Sequence, residues 1–101
     1  REGLNGFTLL MVAALYGHER LAVALLQRGA SIDLKNSDGC TALICAALYG
    51  NERVAVVLLQ RGALIDLQNS VGVTALMFAA QEGHERVVEM LLQHGAEINL
   101  Q

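Results

Sequence analysis

The sequence predicts an all-α repeat fold: a solenoid of helix–turn–helix pairs stacked side by side. Three observations carry this. First, the chain repeats itself every 33 residues, with Thr8, Thr41 and Thr74, Gly6, Gly39 and Gly72, and Gly29, Gly62 and Gly95 in register; such a fixed period is the signature of a repeat architecture. Second, the apolar residues inside each period follow helical spacing, as in Leu43, Ala46, Ala47 and Gly50 at i, i+3, i+4 and i+7. Third, glycine closes each helix in turn, where a left-handed backbone costs it little. One helix pair cannot bury its own apolar faces, so successive pairs must stack into one continuous core.

Residues 1–5 are a partial lead-in, and the repeats run over about 3–35, 36–68 and 69–101 of a single domain, 1–101. The first repeat places helices at about Leu9–Tyr16 and Glu19–Arg28. In the second, Thr41 is the expected N-cap, accepting from an orphan N–H. Its first helix starts near Ala42 and stops at Gly50, where Ala46 and Ala47 allow close approach of a neighbour. Asn51 is read as the cap of the next helix, about Glu52–Gln60, whose buried stripe is Val54, Ala55, Val57, Leu58 and Leu59. Ala63–Gly72 form an extended loop with turn residues Asn69, Ser70 and Gly72. The third repeat has helices at about Ala75–Glu82 and Glu85–Gln93.

Composition narrows the function. The chain is 53% hydrophobic and 17% charged, too apolar for a disordered tail. A net charge of −3 without a Lys/Arg cluster offers no footprint for a phosphate backbone. Cys40 and Cys45 fit neither a zinc spacing nor a disulfide framework; two free thiols point to a reducing, cytoplasmic compartment. No apolar run approaches the ~20 residues of a membrane span. There is no nucleophile elbow, P-loop or metal-binding histidine pair, so no catalytic residue, cofactor or metal is expected.

The pattern G-x-T-x-L-x-x-A-A-x-x-G-[HN]-x-x-[VL]-x-x-x-L-L-x-x-G-A, met three times, resembles the ankyrin repeat over essentially the whole chain. The resemblance implies β-hairpin loops that project from the helix pairs, and a concave surface made by the hairpin tips and the first helices that binds a partner protein or peptide. The family's Thr-Pro-Leu-His becomes Thr8-Leu9-Leu10-Met11, Thr41-Ala42-Leu43-Ile44 and Thr74-Ala75-Leu76-Met77. Loss of proline at the first helical position should cost ~0.4–1 kcal/mol per site, and the apolar residue in place of histidine should offset the lost polar network by burial.

The same resemblance places the partner-binding residues at Leu4, Asn5, Phe7, Leu15 and Tyr16 in the first repeat. In the second they are Lys35, Ser37, Asp38, Cys40, Leu48 and Tyr49. In the third they are Gln68, Ser70, Val71, Val73, Gln81 and Glu82. Phe7, Leu15, Tyr16, Leu48, Tyr49, Val71 and Val73 would form an almost continuous apolar patch, the usual mark of an interaction site, with tyrosine a common anchor. The competing reading is a packing ladder, Tyr16 over Tyr49 and Leu15 over Leu48. Asn99 falls where family members carry a hydroxylated asparagine; Asp33 and Asp66 hold that place in the other repeats.

Charged rungs at Glu19-Arg20, Glu52-Arg53 and Glu85-Arg86 read as solvated helix starts with cross-repeat pairs worth ~0–1 kcal/mol each. His18 and His84 share one scaffold position with Asn51, which argues against a metal role, and His94 reads as a surface residue. Solenoids need polar outer faces on their end repeats. Here the first still carries Leu21, Leu25 and Leu26, and the third Val87, Val88, Met90, Leu91 and Leu92. Such ends suit a segment of a longer array or a chain that self-associates. The expectation is a non-catalytic protein-interaction module, the alternative a structural spacer or self-associating segment of a long array.

Overall fold

A computed structural model describes residues 8–99. Six helices follow one another: α1 (Leu9–Tyr16), α2 (Glu19–Gln27), α3 (Ala42–Leu48), α4 (Glu52–Gln60), α5 (Ala75–Gln81) and α6 (Glu85–Gln93). Within each repeat α1 packs on α2, α3 on α4 and α5 on α6. Between repeats α1 packs on α3 and α3 on α5 in one layer, α2 on α4 and α4 on α6 in the other. The bounds agree with the sequence reading to within two residues, because the signals that start the first helices and stop every helix are local.

The starts are threonine caps. Thr8, Thr41 and Thr74 sit in extended backbone, and their hydroxyls accept from the N–H of Met11 (3.1 Å), Ile44 (3.2 Å) and Met77 (3.3 Å). The second helices start differently: neither His18, Asn51 nor His84 caps its own helix through its side chain. The expectation that Asn51 caps α4 is therefore corrected. Its side chain is turned back toward the preceding repeat.

The core is a strip of small and branched aliphatic side chains. Ala13, Ala14, Ala46, Ala47 and Ala79 are fully buried, which lets the first helices approach closely, and Leu10, Leu43, Leu58 and Leu91 fill the space between layers. Of the expected α4 stripe, Val54, Ala55, Val57 and Leu58 are buried, while Leu59 is half-buried. Met11 and Ile44, in the place of the family's histidine, are 1% exposed each; at ~25 cal/mol per Å² of apolar surface such burial offsets a lost hydrogen bond.

The hairpins are built on asparagine. Asn36 Oδ1 accepts from the N–H of Asp38 (2.9 Å) and Cys40 (3.0 Å), and Asn69 Oδ1 from Val71 (3.0 Å) and Val73 (2.9 Å). One backbone rung closes each, Asn36 N–H to Cys40 O and Asn69 N–H to Val73 O, both 2.9 Å. They are too short to hold a strand, and no strand occurs among the described residues. Neighbouring tips meet through the Ser70 N–H, which donates to Asp38 O at 3.0 Å.

Candidate protein-interaction surface

The hairpin tips and the first helices are joined end to end, since each tip runs directly into a threonine cap. The structure spreads the expected contact residues over two levels of this surface, the tips and the C-terminal ends of α1, α3 and α5. A seven-residue helix separates them by about 10 Å. Leu4, Asn5 and Phe7 lie outside the described residues.

At the helix ends, Tyr16 is 70% and Tyr49 57% exposed. Tyr16 stacks on its own neighbour His18, with ring centroids 6.0 Å apart and planes at 27°; no Tyr16–Tyr49 ring contact occurs among the described residues. Leu15 and Leu48 are half-buried, and Leu15 packs against the core. In the third repeat the same two positions are Gln81 and Glu82, both exposed. The row thus runs from two tyrosines to an acidic, polar end.

At the tips, Val71 is 80% exposed and Val73 half-buried, while Ser37, Asp38 and Ser70 are exposed. Other expected contacts are already engaged within the protein. The Lys35 ammonium donates to Gln68 O at 3.0 Å. Cys40 is half-buried with the Asn69 side-chain nitrogen 3.7 Å from its sulfur. Burial raises the Cys40 thiol above its ordinary range, the Asn69 hydrogen bond pulls it down, and Asp38 pushes it up. Cys45 is buried in α3 and its thiol is pushed up to about 12, by burial first and by Cys40 second.

Asn51 and His84, which share one scaffold position in the sequence, prove to be rivets between repeats, and Asp33 and Asp66 join them. The Asn51 side-chain nitrogen donates to the carbonyls of Ala14 and Leu15, and His84 Nε2 to that of Leu48 at 3.1 Å. Asp33 Oδ1 accepts from Leu64 N–H at 3.1 Å and Asp66 Oδ1 from Glu97 N–H at 3.0 Å. The 33-residue spacing of Asp33 and Asp66 was the available signal for that pair. Asn99, next in the series, is exposed, and its N–H donates to Glu97 Oε2 at 3.2 Å. The charged rungs pair across repeats, Arg53 to Glu19 at 3.7 Å and Arg86 to Glu52 at 4.0 Å, with both arginines largely in solvent; exposed pairs contribute little. His94 Nδ1 bonds back to Met90 O at 2.8 Å, at the end of α6. Among the described residues no group of three His, Cys, Asp or Glu converges as a metal would need, and no helix is long and apolar enough to cross a membrane.

Helix pairs at a fixed period, riveted to their neighbours by polar side chains and ending in short projecting hairpins, define a helical-repeat solenoid with a preformed surface. The model for ankyrin repeats matches residues 10–101 in three copies, and the chain belongs to that family. No curated protein matches it. Ankyrin repeats are generally protein–protein interaction modules and typically non-catalytic.

Proposed function

We propose that this chain binds a partner protein or peptide on the surface made by its hairpin tips and the C-terminal ends of α1, α3 and α5. The observation that carries the reading is the pair Tyr16 and Tyr49. They hold the same register position at the C-terminal ends of two helices that pack directly together, Tyr16 as the last residue of α1 and Tyr49 as the cap of α3, yet both rings remain largely in solvent. A ring left exposed where the scaffold does not need it is a ready anchor: tyrosine offers large contact area with few torsions to freeze. Val71 adds an apolar contact at the tip level. Gln81 and Glu82 give the third repeat a different chemistry, which favours a ligand apolar at one end and basic or hydrogen-bond-donating at the other. Recognition would be docking onto a formed surface with little backbone change.

The test is a photo-crosslinking residue at position 49, with one at Glu89 on α6 as control, followed by affinity measurement for whatever protein position 49 captures. Tyr16→Ala with Tyr49→Ala should weaken that binding by more than ~10-fold, or ~1.4 kcal/mol. The unfolding midpoint should stay within experimental error of the parent. Unchanged affinity in the double variant rejects the proposed surface.

A further inference from the structure

The row formed by Tyr16, Tyr49 and Glu82 is open along its length. The three hold one register position at the ends of α1, α3 and α5. Tyr49 has a repeat packed on either side and is still 57% exposed. Stacking of repeats therefore extends this row without covering it, and its occupant comes from outside the stack. The charge left for a ligand here is negative. Glu82 and, at the tip level, Asp38 are exposed acids. Lys35 is held by the Gln68 carbonyl. Arg53 and Arg86 pair with Glu19 and Glu52, and Glu82 is in neither pair. Arg20 lies in the first turn of α2, two repeats from Glu82, and Arg28 and Arg61 close α2 and α4 at their far ends. A cation of the ligand thus has its place between Tyr49 and Glu82, where a guanidinium can lie on a tyrosine face and meet a carboxylate at once.

The spacing of the row selects a backbone. First helices packed through buried alanines lie about 8–10 Å apart, and so do successive members of the row. A polyproline II helix rises about 3.1 Å per residue with three residues per turn, so every third side chain falls on one side, about 9 Å from the last. A β-strand turns its third residue along to the opposite face. An α-helix sets neighbours on one face about 5–6 Å apart, too close for the row. Polyproline II also leaves its carbonyls without internal hydrogen bonds, and the two tyrosine hydroxyls are donors for them. Proline-rich segments are read in grooves lined by aromatic side chains, which Tyr16 and Tyr49 supply.

We propose that the partner presents a polyproline II segment with proline and arginine three residues apart. The segment lies across the ends of α1, α3 and α5. Its proline sits between Tyr16 and Tyr49, and its arginine, one turn on, between Tyr49 and Glu82. This rests on the tyrosine surface proposed above and gives that surface a ligand. The segment can lie in either direction, so Pro-x-x-Arg and Arg-x-x-Pro are equivalent here.

A library of random peptides displayed on phage tests it, selected in parallel on the chain and on Y16A/Y49A/E82A, whose circular dichroism spectrum should match the parent. The parent should enrich Pro-x-x-Arg or Arg-x-x-Pro within proline-rich peptides, and the triple variant should not. In titrations with a synthetic peptide of the enriched sequence, E82R should weaken binding about fivefold or more, as for an exposed pair, and Y49A about tenfold. Moving the arginine by one residue should weaken it to the same degree, and a peptide with glutamate in place of arginine should recover binding to E82R. Peptides that depend on the three side chains but follow an amphipathic-helical or alternating pattern overturn the polyproline ligand and leave the tyrosine surface standing. Peptides enriched equally on both proteins bind elsewhere and count against ligand and surface alike. No enrichment on the parent overturns the proposal, while crosslinking at position 49 judges the surface by itself.

Discussion

The side-chain nitrogen of Asn51 lies 3.0 Å from the carbonyl oxygen of Leu15, in the preceding repeat. It also serves the Ala14 carbonyl. Both belong to the last four carbonyls of α1, which have no partner inside their own helix. Asn51 thus closes the C-terminus of α1 while standing at the start of α4. His84 does the same for Leu48 in α3, its Nε2 carrying the proton because a carbonyl can only accept.

Asn51→Asp separates this role from ordinary capping. An aspartate is as good an N-cap as asparagine, so a cap would tolerate the exchange. It has no N–H to offer the carbonyls, and we expect a loss of about 1–3 kcal/mol, the cost of leaving buried acceptors unmet. Asn51→His should retain most of the stability. Urea unfolding of the two variants beside the parent decides between the roles, and an unchanged midpoint for Asn51→Asp would refute the inter-repeat one.

Gly39 sits where two hairpins touch. Its φ is +78°, and a Cβ there would lie 2.7 Å from the Ser70 backbone nitrogen and 2.8 Å from its hydroxyl. Gly62, at φ +94°, has nothing within 4 Å of the same point. Gly62→Ala should therefore cost only the left-handed backbone, roughly 1–2 kcal/mol. Gly39→Ala should cost at least about 1 kcal/mol more and break the Ser70–Asp38 rung. Equal unfolding free energies for the two variants would show that the hairpins yield without cost.

The helices were legible because their signals are short-range. A threonine hydroxyl finds its N–H three residues ahead, and a glycine stops the helix it follows, so both can be read within one repeat. Asn51 was misread for the converse reason: cap chemistry is judged from the next few residues, and its true partners lie in the previous repeat. Asp33 and Asp66 escaped in the same way, although their recurrence was in plain sight. On the surface, sequence position separates hairpin and helix-end residues from core. It does not say that Lys35 is occupied by the Gln68 carbonyl or that Leu15 leans on the core, since both depend on how neighbouring repeats close upon each other.

The missing prolines are a reserve of stability. Thr41 has φ −97° and ψ 173°, the extended conformation that a following proline demands. Ala42 is the first residue of α3, where an N–H has no helical acceptor to lose. Ala42→Pro should thus raise the unfolding free energy by about 0.4–1 kcal/mol, by restricting the unfolded chain. Thermal unfolding followed by circular dichroism should show a higher midpoint, and a lower one would mean that the buried site lacks room for the ring.

Cys45 ties stability to alkaline pH. Its folded thiol titrates at about 12 against an ordinary value of 9.0. The unfolded chain therefore gives up this proton first. The contribution is complete below pH 9 and declines as pH rises from 9 toward 12, by about 1.4 kcal/mol per pH unit. Between pH 8 and pH 10.5 the parent should lose roughly 2 kcal/mol more than Cys45→Ala, in which the titrating group is gone. Urea midpoints of both proteins at the two pH values check this, and parallel losses would place the alkaline sensitivity elsewhere. Burial also shields the thiol, so an alkylating reagent at pH 8 should modify Cys40 first and reach Cys45 only as the chain unfolds.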